Sequence, residues 1–423
     1  MMVPRTVDQE PLLWMSIIPS RPYLYELAES QVVYALVTIT AAEIPPLPDP
    51  PLNLCLVLDR STSMQGERLN RVKAAAGAIL DSLTQQDIFS VVAFSDRAQV
   101  VLAAQPFADR DLARGRISAL SAGGGTEILQ GLVFGLAEVH QNLGPTYVNQ
   151  LILLTDGQTY GDEQDCLSLA GLAARDGITI SGLGLGDEWN EDFLDELAGI
   201  TGGEVVFLED PQVAGAFLQD RVRRLSSVFA ENLELSISLG PGVELLDVFK
   251  VSPEALPLGK RQTIRLGSMI RSLPVIIMFE FLIPPNMDGD QVALASLNLE
   301  ANVVALNLPG VEAAAELKLP VCIDPSSQQP PAIILNALSK LNLYRLQEMA
   351  RQEADQGKTE QATRRLELLG SYLLADGEGE LAAVAFEEAG QLRQTRNLSS
   401  AGRKRLRYGT RALTQLTPPL RTE

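Results

Sequence analysis

The sequence predicts an α/β fold: a doubly wound, mostly parallel six-stranded sheet inserted in a β-sandwich and followed by a C-terminal helical segment. Three observations predict it. From Leu52 to Phe229, apolar runs of strand length alternate with segments of helical spacing, the pattern of a parallel sheet covered by helices on both faces. From Leu233 to Cys322, short strand-like runs are separated by Pro and Gly, as in a β-sandwich. From residue 330 to 395 the apolar residues recur at helical spacing.

Residues 1–51 hold two strands, Tyr23 to Tyr25 and Gln31 to Thr40, the second alternating through Val33, Ala35, Val37 and Ile39. Lone strands need a sheet to join, and these are expected to complete the sandwich. The proline-rich stretch Ile44 to Pro51 fits neither helix nor central strand and marks a boundary. Leu52 to Leu58 is apolar without alternation, a strand buried on both faces. Helical spacing follows from Arg68 to Leu83, then strands at Ile88 to Phe94 and, returning beside it, Ala98 to Ala103. Helices at Leu112 to Leu120 and Ile128 to Val139 flank a glycine-rich loop. Strands at Val148 to Leu154, Ile178 to Leu183 and Glu204 to Phe207 alternate with helices at Cys166 to Arg175, Glu191 to Ile200 and Val213 to Phe229.

Six strand-like runs succeed these: Leu233 to Leu239, Leu245 to Val251, Gln262 to Leu266, Val275 to Leu282, Val292 to Leu299 and Glu316 to Cys322. Ile334, Leu338, Leu341 and Tyr344 share one helical face, and helices are expected at Gln361 to Leu374 and Leu381 to Leu392. The domain division expected is therefore 1–51, 52–228, 229–329, 330–395 and a basic tail, 396–423.

Composition narrows the function. A chain of 423 residues exceeds one ordinary domain, and 46% hydrophobic residues suffice for packed cores. A net charge of −19 argues against nucleic acid or an anionic membrane as main partner. The amino terminus lacks the basic region and long apolar core of a signal peptide, and no run of some twenty apolar residues occurs. Three scattered cysteines read as free thiols. A cytoplasmic protein is expected.

The chemistry concentrates where the Leu52 strand ends. Asp59, Ser61 and Ser63, in Asp-x-Ser-x-Ser spacing, place one carboxylate and two hydroxyls on one loop. Three oxygens with no His or Cys in the loop suit a hard divalent cation and argue against zinc. Alone, the triplet equally describes a helix-capping loop. The run Asp59-Arg60-Ser61-Thr62-Ser63-Met64 resembles the first motif of the von Willebrand factor A domain, its metal-ion-dependent adhesion site. Gly123-Gly124-Gly125-Thr126-Glu127 resembles that family's threonine loop, and Leu151 to Gly157 the strand ending in its second aspartate, Asp156. Gly182 to Gly186 with Thr201-Gly202-Gly203 is similar to the family's penultimate strand and following helix.

The resemblance spans Leu52 to Ser227 and implies a Rossmann-like sheet with Asp59 and Asp156 on adjacent central strands. It implies direct ligation by Ser61, Ser63 and Thr126, with Asp59 and Asp156 acting largely through waters. The expected ion is Mg2+ or Mn2+, and the expected partner is a protein presenting Asp or Glu to the metal. A scaffold or regulatory adaptor follows, with motion of the helix ending at Phe229 as the coupled response. No enzyme is expected, because the single histidine, His140, lies far from the motifs in sequence. A metal-dependent hydrolase would need Asp59, Asp156 or Glu127 as base. A self-assembling protein would fill the metal site from its own tail or a neighbouring copy. In the tail, Thr410 among arginines is a candidate phosphorylation site for a forkhead-associated-domain partner; the alternative is that Leu406, Tyr408 and Leu413 dock and close the structure.

Overall fold

The computed structural model describes residues 11–45, 47–107, 109–159, 161–209, 214–253, 255–285, 289–322 and 329–414. They divide into two compact units, one made of residues up to Asp49 with Val228–Leu335, the other of Pro50–Ser227 with Asn336–Gln415. The chain opens with β1 (Leu13–Pro19), β2 (Leu24–Tyr25) and β3 (Gln31–Ala41). The first of these lies in the apolar stretch that sequence reading left without structure. It pairs antiparallel with β3, Leu13 opposite Ala41, so a partner distant in sequence supplies the order that its own residues do not announce.

The second unit begins with β4 (Leu52–Asp59), α1 (Glu67–Leu80), β5 (Ile88–Phe94), β6 (Ala98–Pro106), α2 (Arg110–Ser118) and α3 (Ile128–His140). It continues through β7 (Val148–Thr155), α4 (Glu163–Arg175), β8 (Thr179–Leu185), α5 (Glu191–Ile200), β9 (Val205–Leu208) and α6 (Ala214–Ser226). The six strands run in the order β6-β5-β4-β7-β8-β9, with only β6 antiparallel to its neighbour. Every residue of β4, β5, β7 and β8 is buried, which is why their sequences do not alternate. From β4 the chain builds outward to β5 and β6, then returns to place β7 on the other flank of β4. That reversal is a topological switch point.

Helix α3 lies very close to the sheet because it carries no side chain at Gly135. A β-carbon there would sit 2.5 Å from Val57 Cγ2 and 2.9 Å from Leu151 Cδ1. Gly135→Val is expected to destabilise the protein by about 1–3 kcal/mol through overpacking. Gly171→Ala in α4, where a β-carbon meets nothing within 4 Å, is expected to stabilise by up to about 1 kcal/mol. Urea unfolding midpoints of the two variants check both signs.

Helix α6 stops at Ser226, short of the expected Phe229; Val213 lies outside the described residues. Val228 and Phe229 instead open β10 (Val228–Leu239), where Val228 pairs with Ile270. The first unit then adds β11 (Glu244–Ser252), β12 (Leu256–Pro257), β13 (Thr263–Ile270), β14 (Val275–Ile283), β15 (Gln291–Val303) and β16 (Leu308–Cys322). These strands form two five-stranded sheets, β1-β3-β14-β11-β12 and β13-β10-β15-β16-β2. The amino-terminal strands thus complete sheets whose other members follow residue 227. One apolar cluster draws on both, including Val37, Phe279 and Phe281 from the first and Leu235, Leu297 and Leu317 from the second.

The remaining helices belong mainly to the second unit: α7 (Ala332–Asp355), α8 (Thr359–Ala375), α9 (Gly379–Thr395) and α10 (Ser400–Thr414). Leu343, Leu366, Leu369, Leu373, Ala385, Leu392 and Leu406 form their shared core. The expected basic tail is therefore a fourth helix as far as Thr414. It seats closely on α9, since a β-carbon at Gly402 would overlap Glu388. The Glu388 carboxylate in turn accepts from Ser399 N at 2.8 Å and Ser399 Oγ at 2.5 Å, at the start of α10.

Candidate metal centre

Asp59 ends β4, and Asp156 follows directly on β7, the neighbouring strand. Strand register sets Leu58 opposite Leu154, so both aspartates emerge together at the carboxyl edge where the strand order reverses. The chain Asp59–Ser61–Ser63–Asp156 is continuous. Ser61 N donates to Asp59 Oδ1 at 2.8 Å, the Ser61 and Ser63 hydroxyls lie 2.9 Å apart, and Ser63 Oγ donates to Asp156 Oδ1 at 2.7 Å. Asp59, Ser61 and Asp156 are buried, whereas Ser63 is exposed. Thr126 is buried beside the Asp156 turn: a β-carbon on Gly157 would lie 3.1 Å from its Oγ1. It makes no hydrogen bond to the other four among the described residues.

The loops that carry these groups clasp one another. Thr62 donates to Gly124 O from both N, at 3.0 Å, and Oγ1, at 2.9 Å, while Gly123 N donates to Arg60 O at 2.8 Å. Asp96 Oδ1 accepts from Gly125 N at 2.7 Å. Two further groups, absent from the sequence-derived set, complete the polar shell. Thr155 Oγ1 donates to Asp59 Oδ2 at 2.7 Å, and Arg68 Nη1 lies 2.7 Å from Asp156 Oδ2. The hydroxyl of Thr155 at the end of an apolar strand was a readable signal. Arg68, one of two arginines on α1, carried none.

Burial pushes the Asp59 carboxyl up to about 6; hydrogen bonds from Ser61 and Thr155 pull it down and the Asp156 charge adds to the rise. The set holds two carboxylates, of which Asp156 pairs with the Arg68 guanidinium and Asp59 is held by neutral donors. The excess negative charge, the hydroxyls directed between the acids and the absence of nitrogen or sulfur donors in the set fit a hard dication. Among the described residues, no group of three or more His, Cys, Asp and Glu side chains could hold a metal; this set relies on hydroxyls instead. Of the other candidate bases, Glu127 is exposed at the start of α3. His140 is exposed at the end of that helix, with Nε2 2.8 Å from Asp176 Oδ2, outside the set.

The tail does not present Thr410. That residue is fully buried, with Oγ1 donating to Leu406 O at 2.7 Å. An accessible phosphothreonine for a forkhead-associated domain is thereby corrected to a docked helix: the surrounding arginines turn to α5 and its neighbours rather than to solvent. Arg407 and Arg411 pair with Asp195, Arg403 and Lys404 with Glu191, and Arg405 with Glu209. No side chain of α10 enters the candidate metal set.

Comparison with known proteins agrees with this anatomy. The von Willebrand factor type A domain family matches residues 53–220, and the family described as Sll0103-like, C-terminal alpha-helical domain matches residues 332–416. The uncharacterized protein sll0103 of Synechocystis sp. is 30% identical over 381 residues, covering 87% of this chain and 89% of its own. Among solved structures, a von Willebrand factor type A protein from Catenulispora acidiphila aligns with TM-score 0.75 at 17% identity, over 98% of this chain and 99% of its own. The ArnB paralog VWA2 from Sulfolobus acidocaldarius aligns with TM-score 0.61 at 16% identity, over 96% and 100%.

Proposed function

The chain belongs to the Sll0103-like family of von Willebrand factor A proteins, and on that premise we propose that it is a divalent-metal-dependent protein-binding module. The supporting observation is the continuous hydrogen-bonded chain of residues from Asp59 through Ser61 and Ser63 to Asp156, with Thr126 alongside. Magnesium or manganese is the ion proposed. Magnesium keeps several waters and takes few protein ligands, which suits a set dominated by hydroxyls. When bound, the ion would supply an electrophilic position for a carboxylate from outside. Ser61, Ser63 and Thr126 would hold it directly, Asp59 and Asp156 through waters. Thr155 would orient Asp59 through its hydroxyl.

The partner proposed is an acidic segment. Beside the loop lies a surface cleft lined by Arg60, Gln99, Arg116 and Ser121. The Arg60 and Arg116 guanidiniums donate to the backbone carbonyls of Ser121 and Val101, and no carboxylate pairs with them among the described residues. On a chain of net charge −19, such a cleft favours a ligand bearing further carboxylates near the one on the metal. A role as scaffold or adaptor follows from binding without chemistry. No described helix is long and apolar enough to cross a membrane. The three thiols are free, with Cys55 pushed up to about 12 by burial; free thiols favour the reducing cytoplasm we propose.

Fluorescence polarisation tests the module with a labelled peptide of glycines and several Asp and Glu residues. Binding is expected in Mn2+, with loss on chelation and on replacing the peptide acids by amides. Binding that survives chelation, or that treats amides and acids alike, would overturn the reading. Metal uptake without peptide binding, accompanied by metal-dependent dimers in sedimentation, would favour a site filled by a neighbouring copy.

A further inference from the structure

We propose that the C-terminal helix α10 restrains metal affinity at the candidate centre, acting through Arg68 as a positioning residue; this rests on the metal reading above. The path is short. Arg68 Nη1 lies 2.7 Å from Asp156 Oδ2, with the arginine side chain 40% exposed and the aspartate fully buried. One cation thus already occupies an acid that a metal would also use, and two cations on one carboxylate repel. Close to the guanidinium is Gly186, where an added β-carbon would lie 3.8 Å from Arg68 Nη2.

The turn at Gly186 is held from the far side. Gly186 O accepts from Trp189 Nε1 at 2.8 Å, and Gly186 N donates to Leu208 O at 3.2 Å. Asp187 O accepts from Lys404 Nζ at 2.8 Å and from Ser400 Oγ, both on α10. Lys404 is fully buried, with Nζ 3.1 Å from Glu191 Oε2 and 5.0 Å from the centre of the Trp189 ring. A lysine is seldom buried completely without a specific partner. Here its partners are the carbonyl that follows Gly186 and the first residue of α5.

Helix α10 therefore fixes the turn that lies close to Arg68. With the clamp released, the half-exposed Arg68 side chain is free to leave Asp156, and entry of a dication no longer works against it. Linkage requires the converse: a dication that displaces Arg68 loosens the hold on α10 to the same degree.

Calorimetric Mn2+ titrations of the full chain test this with wild type, Arg68→Gln, Lys404→Met and the double variant. Each single variant is expected to bind Mn2+ about 5–30-fold more tightly, and the double variant no more tightly than Arg68→Gln, since both act through one guanidinium. Hydrogen exchange on the wild type, which needs no substitution, is expected to quicken at the amides of residues 400–414 when Mn2+ is added. Unchanged affinity in Lys404→Met, additive effects in the double variant, or exchange in α10 indifferent to Mn2+ would each overturn the coupling while leaving metal binding intact. Failure of the wild type to bind Mn2+ at all would overturn both.

Discussion

Asp59→Asn is expected to abolish divalent-metal binding and, with the same change, to leave the metal-free protein at least as stable as wild type at neutral pH. The opposite signs follow from one buried carboxylate. With its pKa pushed up to about 6, mainly by burial, Asp59 binds a proton more readily in the folded chain than in the unfolded one. Metal-free stability therefore falls as pH rises from the ordinary carboxylate range through about 6, by about 3 kcal/mol in all. Asparagine still accepts from Ser61 N and removes that cost. It also removes the negative charge that a dication requires. In wild type, metal at a hundred times its Kd would return about 2.7 kcal/mol. Thermal melts with and without Mn2+ should show a metal-induced rise in wild type and none in the variant. An unaltered metal shift in Asp59→Asn would remove this aspartate from the site.

Asp195→Ala is expected to cost about 3–5 kcal/mol, the usual consequence of leaving buried charge uncompensated. Arg411 Nη1 and Nη2 lie 2.9 and 2.6 Å from the two Asp195 oxygens, and Arg407 Nη2 lies 2.8 Å from Oδ2. All three side chains are under 10% exposed. Without Asp195, two guanidiniums would face each other in a poorly hydrated seam, and α10 should leave α5. Trypsin would then cut among residues 403–411, which the docked helix protects. By contrast, Arg114→Ala, which breaks an exposed pair with Asp81, should move stability by less than about 1 kcal/mol.

Acid should act in the same direction as Asp195→Ala. Burial disfavours the charged form of Asp192, but the Arg407 hydrogen bond and the charges of Arg407, Arg351 and Arg403 more than offset it, holding its pKa below the usual range. Its contribution is present at neutral pH and is lost as pH falls through that lowered value. A protected α10 and an unmoved urea midpoint in Asp195→Ala would show that apolar packing, not this seam, docks the helix.

The α/β sheet was legible because strands buried on both faces and amphipathic helices write their periods locally. Asp59, Ser61, Ser63, Thr126 and Asp156 could be nominated together because the first three share one loop and the other two belong to recognisable segments. Arg68 could not, since its role depends on where α1 points rather than on a pattern around it. Strand β1 was missed because Leu13–Pro19 gains its order from β3, and the end of α6 was misplaced because Val228 and Phe229 continue a helical period while pairing in a sheet. For the tail, the docking of Leu406 and Tyr408 could be anticipated, but the ion pairs of α10 could not, because its acidic partners lie about 200 residues earlier in the chain.

The pairing of β3 with β14 also sets a schedule for synthesis. Tyr34 and Glu280 meet across 246 residues, so an apolar strand made early has no sheet until most of the chain has been translated. At elongation rates of about 5–20 residues per second that interval is about 12–50 seconds. Throughout it, β1 and β3 can offer a hairpin with open edges and an apolar face. The intervening residues 50–227 have all six strands of their own sheet in hand and can fold during the wait. Nascent chains arrested before residue 275 should accordingly bind a chaperone through the first forty residues, and release it once β14 has cleared the ribosome.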